Sequence, residues 1–191
     1  MNELFSNQII TLAEKDLSVR EKLASEGQLS SGYHPEMEQV HKENAEQLRE
    51  IIEKIGFPTI SKVGAEASDA AWLIIQHSIG EPEFMRWCCQ LMIENSDDIK
   101  PSNIAFLHDR IQFFQGKPQR YGTQLMADGI PYPVENKSRL NAERRKVNLL
   151  PFSQEKINAI PDPEHIPEID RKDADYTAWR IKTGWIRDFE S

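Results

Sequence analysis

Cysteine is scarce in this chain: two residues in 191, Cys88 and Cys89, and they are adjacent. Neighbouring side chains on a helix point to different faces and do not easily bridge, so a disulfide framework is excluded. The pair reads as buried thiols of a reducing compartment. Long apolar runs are missing as well. Nothing approaches the roughly 20 apolar residues of a membrane span, and the start MNELFSNQ has neither the basic stretch nor the apolar core of a signal peptide. The expected address is therefore the cytoplasm, with no membrane partner. Basic charge is outnumbered, 23 Lys and Arg against 31 Asp and Glu, for a formal charge of -8. A nucleic-acid partner is not expected, because such proteins concentrate cations on one face, and the only dense basic run here is Arg144-Arg145-Lys146. Also absent are a glycine-rich phosphate loop, a Cys-x-x-Cys pair, His-Glu-x-x-His and a Gly-x-Ser-x-Gly elbow. The common cofactor classes lose support accordingly, and no cofactor is expected.

What is present is helical periodicity. From Glu3 to about Ser25 the positions Phe5, Ile9, Leu12, Asp16, Val19 and Leu23 step alternately by four and three, which is one face of a helix. After a Gly- and Ser-containing loop, Pro35 opens a second helix that stops at Gly56, with Met37, His41, Asn44, Leu48, Ile51 and Ile55 as its stripe. The segment FPTISKVG reads as a connection. Further helices are expected over about 65–78, 81–94 and from Pro101 to a stop at Gly116, with a short one over about 138–147. Between Gln124-Leu125-Met126 and Ile130-Pro131-Tyr132, the dipeptide Asp128-Gly129 suggests a small hairpin. Beyond residue 160, prolines and acidic clusters look like an exposed segment, with Trp179 and Trp185 available to dock it. The expected fold is mainly α: a compact bundle of about five helices, a small β-hairpin and loop region, and an irregular C-terminal segment. Its expected organisation is one domain over 1–159 followed by a partly extended segment over 160–191.

The chemistry-bearing candidates are polar residues at positions the pattern reserves for apolar ones. A buried carboxylate, imidazole or amide costs several kcal/mol unless paired. Asp16 interrupts the first stripe, with Arg20 one turn later and able to form a local ion pair. His41 and Asn44 interrupt the second, one turn apart, where they line a cleft or simply make satisfied core contacts. His77 ends an apolar helix, a place the helix dipole favours for histidine in any case. Asp109 and Arg110 are adjacent and reach different partners. The loop Gln119-Arg120-Tyr121-Gly122-Thr123-Gln124 crowds amides, a phenol and a hydroxyl around one glycine, a composition suited to holding a polar ligand close to backbone. No spacing supports a metal site from His41, His77, His108, Asp16 or Asp109, and none is expected.

The series formed by Asp16 and Arg20, Asn44 ahead of IIEKIGFPTISKVG, then AWLIIQH, PEF, LHDR and GKPQRYGTQ resembles a bacterial family catalogued only as domain of unknown function 6624. The resemblance covers about residues 8–152, and its specific parts are the strings from Trp72 to His77 and from Gln119 to Gln124. It implies a shared set of polar positions at Asp16, Arg20, Asn44, Gln76, His77, Asp109, Arg110, Gln119, Tyr121, Gly122, Thr123 and Gln124. Two positions depart from that pattern: His41 stands where the family is more often acidic, and Ile79 where an acidic residue often follows the Gln-His pair. The resemblance implies no activity.

The expectation drawn from these residues is a pocket where the helices meet the 119–124 loop. In it His77 acts as general base or acid, oriented by Asp109 or Asp16. Arg110 or Arg20 holds an anionic group, and Gln119, Tyr121, Thr123 and Gln124 position a small polar molecule for hydrolysis or group transfer. The alternative is a non-enzymatic binding module for a peptide, metabolite or toxin partner using the same cluster. A third reading is a bundle merely fastened by a polar network. Convergence of these side chains in one hollow, or their spread over a face, separates the readings.

Overall fold

The computed structural model describes residues 2–29, 32–164 and 174–187. They divide into two compact units at Lys100/Pro101. The protein is mainly helical.

In the first unit the stripes read from the sequence become the packed faces. Helix α1 (Glu3–Ser25) starts at Asn2, whose side chain accepts from the Phe5 N–H. Helix α2 (Pro35–Ile55) has Pro35 in its first turn, where a missing N–H costs nothing, and stops at Gly56, whose φ of 71° favours glycine. Helix α3 is one turn (Ile60–Val63), followed by α4 (Ala65–His77) and α5 (Pro82–Glu94). Helix α1 lies against both α2 and α4, and α4 also meets α3 and α5. Ile9, Leu12 and Leu23 of α1, Leu48 and Ile52 of α2, Ile74 and Ile75 of α4 and Phe84, Met85 and Met92 of α5 are all buried. Cys88 and Cys89 are free and buried among them, and burial pushes both thiols up, Cys89 to about 11, which keeps them in the unreactive S–H form.

The second unit contains α6 (Pro101–Phe114), α7 (Leu140–Lys146), α8 (Gln154–Ala159) and α9 (Ala174–Thr183). Val134, Leu140, Ile157 and Ile160, with Phe152 against them, form one of its apolar clusters. Helix α9 is held at the end of α6: the Phe114 ring stacks on Trp185 at 5.0 Å and meets Trp179 edge-on at 5.8 Å.

Two expectations need correction. Among the described residues there are nine α-helices, not about five. The five long ones stand where the periodicity put them, α7 falls within the short helix expected over about 138–147, and the surplus consists of the single turn in FPTISKVG, α8, and α9 in the segment expected to be irregular. Nor is there a β-hairpin. The Asp128-Gly129 turn forms, with the Ile130 N–H donated to Asp128 Oδ1 at 2.9 Å, but Leu125 and Pro131 make only an isolated bridge and no strand occurs among the described residues. Pro131 and Pro133 lack the N–H that a continued ladder requires. The acidic stretch expected to be exposed lies for the most part, at 165–173, outside the described residues.

Replacing Phe114 with Ala removes the ring shared by Trp179 and Trp185, and a truncation of this size costs about 3 kcal/mol. Chemical denaturation should show that loss, with tryptophan emission shifted to the red in the native protein. Unchanged emission would contradict the docking.

Candidate functional site

Three helices of the first unit converge on one carboxylate. Asp16 is fully buried on α1. Its Oδ1 lies 3.3 Å from Nε2 of His41, on α2, and its Oδ2 lies 2.8 Å from Nδ1 of His77, at the end of α4. The two imidazoles face each other obliquely, ring centroids 5.4 Å apart. His41 in turn places Nδ1 2.6 Å from the hydroxyl of Tyr33 and stacks on its ring. Burial, then Glu38, Asp16 and Glu81, push the Tyr33 phenol well above its usual range, so it remains a hydrogen-bond donor.

This chemistry fixes the order of protons when the imidazoles are neutral. Tyr33 O–H donates to His41 Nδ1, His41 Nε2–H donates to Asp16 Oδ1, and His77 Nδ1–H donates to Asp16 Oδ2. The chain ends at His77 Nε2, which carries a lone pair and has no partner among the described residues. The His77 side chain is 22 % exposed, whereas those of Asp16 and His41 are at 1 % and 10 %. Burial acts to raise the Asp16 pKa, but the hydrogen bonds and charges of His41 and His77 outweigh it and hold the carboxyl at about 2, below its ordinary 3.8.

Asn44, one turn beyond His41, supports the arrangement. Its side-chain N–H donates to the Leu12 carbonyl at 2.9 Å, gripping α1 one turn before Asp16. Its Oδ1 is buried with no hydrogen-bond partner among the described residues, an uncommon condition for a buried acceptor. Gln76 is buried beside His77 on α4, and Arg20 is exposed. The pairing envisaged between Asp16 and Arg20 gives way to the two imidazoles.

The second unit collects most of the remaining candidates around Asp109, also fully buried. Its carboxylate accepts the backbone N–H groups of Arg120, Tyr121 and Thr123 and the Thr123 hydroxyl, at 2.9 to 3.2 Å, with His108 Nδ1 3.2 Å away. Gln119 behaves similarly: its amide donates to the carbonyls of Gln124 and Tyr132 and accepts the Gln124 N–H. Arg144, noted in the sequence only as part of a basic run, donates to the carbonyls of Tyr121 and Leu150. Gly122 has φ of 70°, and a Cβ there would meet Phe152 at 3.1 Å. Thus Asp109, Gln119 and Thr123 hold the loop in shape, while Arg110, next to Asp109, carries a guanidinium that burial draws below its ordinary value. His77 takes its orientation from Asp16, and Asp109 serves its own loop.

Tyr33 is the member that sequence reasoning missed. It sits in the Gly- and Ser-containing loop outside every helical stripe, and only its position two residues before Pro35 hints at a fixed place.

A small, mainly helical protein with a shared-carboxylate node and a carboxylate-organised loop is what these observations define. The chain belongs to a family of unknown function, DUF6624, whose profile matches residues 4–165, and both the node and the loop lie inside that span. No curated protein and no solved structure matches it.

The lowered Asp16 pKa makes a signed prediction. An ionised, paired carboxylate contributes stability above pH 3.8, lost as pH falls from 3.8 toward 2. A shift of this size is worth about 2 kcal/mol. Denaturant titrations over this window should give a shallower pH slope for Asp16→Asn than for the unaltered chain, and parallel slopes would refute the shared-carboxylate account. Separately, Gly122→Ala should cost about 1–3 kcal/mol through its positive φ and the Phe152 contact, measurable by the same titrations.

Proposed function

We propose that the first unit carries an acid–base centre for hydrolysis or group transfer on a small polar molecule, with His77 as the group that exchanges the proton. The observation that carries this reading is the asymmetry of His77: Nδ1 is fixed on a buried carboxylate at 2.8 Å, while Nε2 has no hydrogen-bond partner among the described residues and the side chain is 22 % exposed. An imidazole so held has one tautomer and one direction of attack. Nε2 takes the proton of a water or substrate hydroxyl as that oxygen forms its new bond. The imidazolium is paired by Asp16, and the same proton then passes to the leaving group. His41 and Tyr33 are positioning residues that keep the carboxylate from turning. Arg20, exposed one turn beyond Asp16 on α1, is the cation available to an anionic substituent. On this reading the 119–124 loop of the second unit is a scaffold, since its amides and carboxylate already serve one another.

Two measurements test the proposal without knowledge of the natural substrate. Diethyl pyrocarbonate, with mass-spectrometric mapping, should modify His77 and spare His41, both of whose nitrogens are engaged; a resistant His77 overturns the reading. In assays with p-nitrophenyl esters and phosphates, His77→Ala should lower any turnover by about 100-fold or more while the circular dichroism spectrum is retained. Wild-type rates in that variant would equally overturn it.

A further inference from the structure

We propose that Asp16, His41 and His77 also form a binding site for one divalent transition-metal ion, an alternative occupant of the node that would switch its acid–base chemistry off. The inference rests on the geometry of the node and not on the catalytic role given to it above. One nitrogen from each histidine and one carboxylate oxygen all lie within 4.8 Å of one another. The carboxylate already faces both imidazoles, with Oδ2 2.8 Å from His77 Nδ1 and Oδ1 3.3 Å from His41 Nε2. Ligands at roughly 2.0–2.1 Å from a tetrahedral zinc ion are themselves about 3.4 Å apart, so separations of up to 4.8 Å have to close by at most about 1.4 Å, shared between two side chains, to seat an ion. Two imidazoles and one carboxylate are a donor set for zinc and its first-row neighbours, and they supply too few oxygens for calcium.

The surroundings meet the further requirements of such a site. A ligating imidazole needs a partner for its other nitrogen; His41 has one in Tyr33, 2.6 Å from Nδ1, and for His77, partly exposed, solvent takes that place. The carboxylate and His41 are anchored in the interior, with Asn44 tying α2 to the α1 turn that bears Asp16. His77, at 22 % exposure, is the flank through which an ion enters and on which water completes its coordination.

The protons balance without leaving the protein. As the ion takes His77 Nδ1, the proton there moves to Nε2; as it takes His41 Nε2, that proton moves to Nδ1, and Tyr33 changes from donor to acceptor. Both imidazoles stay neutral, and the node goes from one negative charge to one positive. His77 Nε2 then carries a hydrogen and accepts no proton from a substrate, so metal and base exclude each other.

The test is titration calorimetry of the chelator-treated full chain with Zn²⁺, together with nitrogen-15 NMR of the histidine side chains. One ion should bind per chain. Asp16→Asn and His41→Ala should each weaken binding by more than about 100-fold and Tyr33→Phe by about 10-fold, the scale of outer-shell losses, while His34→Ala leaves it unchanged. Zn²⁺ should convert His77 from the Nδ1–H to the Nε2–H tautomer and protect it from diethyl pyrocarbonate. Absence of a one-to-one isotherm, equal affinity in the Asp16 and His41 variants, or an unaltered His77 tautomer overturns the proposal. The NMR arm and the Tyr33→Phe arm stand even if the Asp16 variant fails to fold. None of these readouts requires turnover. Failure of the metal site therefore leaves the reactivity of metal-free His77 standing, and an unreactive His77 leaves the isotherm standing.

Discussion

A carboxylate withdrawn from water has to be matched by donors, and in the first unit that requirement governs how three helices meet. Asp16 is inside a face otherwise made of Phe5, Ile9, Leu12, Val19 and Leu23, where an unpaired charge would cost several kcal/mol. The two imidazoles that satisfy it arrive from α2 and α4, the helices that pack on α1. Each brings its own constraint: His41 is locked by Tyr33, and His77 is the last residue of its helix. The arrangement is thus a consequence of burying Asp16, and its partly exposed end is His77.

The second unit solves the same problem differently. Asp109 is as deeply buried as Asp16, but beside the neighbouring His108 imidazole most of its partners are the backbone and hydroxyl groups of one loop, so the charge goes chiefly into holding a shape. Two buried carboxylates in one chain therefore differ in their settings: two imidazoles from separate helices meet Asp16, whereas peptide N–H groups predominate around Asp109. The Gln119 side chain extends the same principle by standing in for a strand partner between Gln124 and Tyr132.

Much of the fold was legible because the long helices carry their signals locally: Pro35 and Pro101 at starts, Gly56 at a stop, and stripes of period 3.6 between. The hairpin was misread because Asp128-Gly129 does make a turn, but whether a ladder follows depends on Pro131 and Pro133, and the turn signal outweighed them. Of the node, Asp16, His41 and His77 were visible as polar residues in apolar stripes. Their mutual contact was not, since the separations of 25 and 61 positions leave no trace in spacing. Asp109 was offered as a partner for His77 on equal terms with Asp16, and nothing in one dimension distinguishes a carboxylate that meets an imidazole from one that meets peptide groups. Tyr33 lay in a loop with no periodicity to break.

The 61-position reach from Asp16 to His77 also bears on the order in which the molecule acquires its chemistry. A nascent or truncated chain that has formed only α1 and α2 already has the carboxylate and one imidazole, but nothing to aim outward. On the proposed reading, the outer imidazole is fixed only once α4 has packed on α1, so the chemistry waits on the fourth helix and not on the first two.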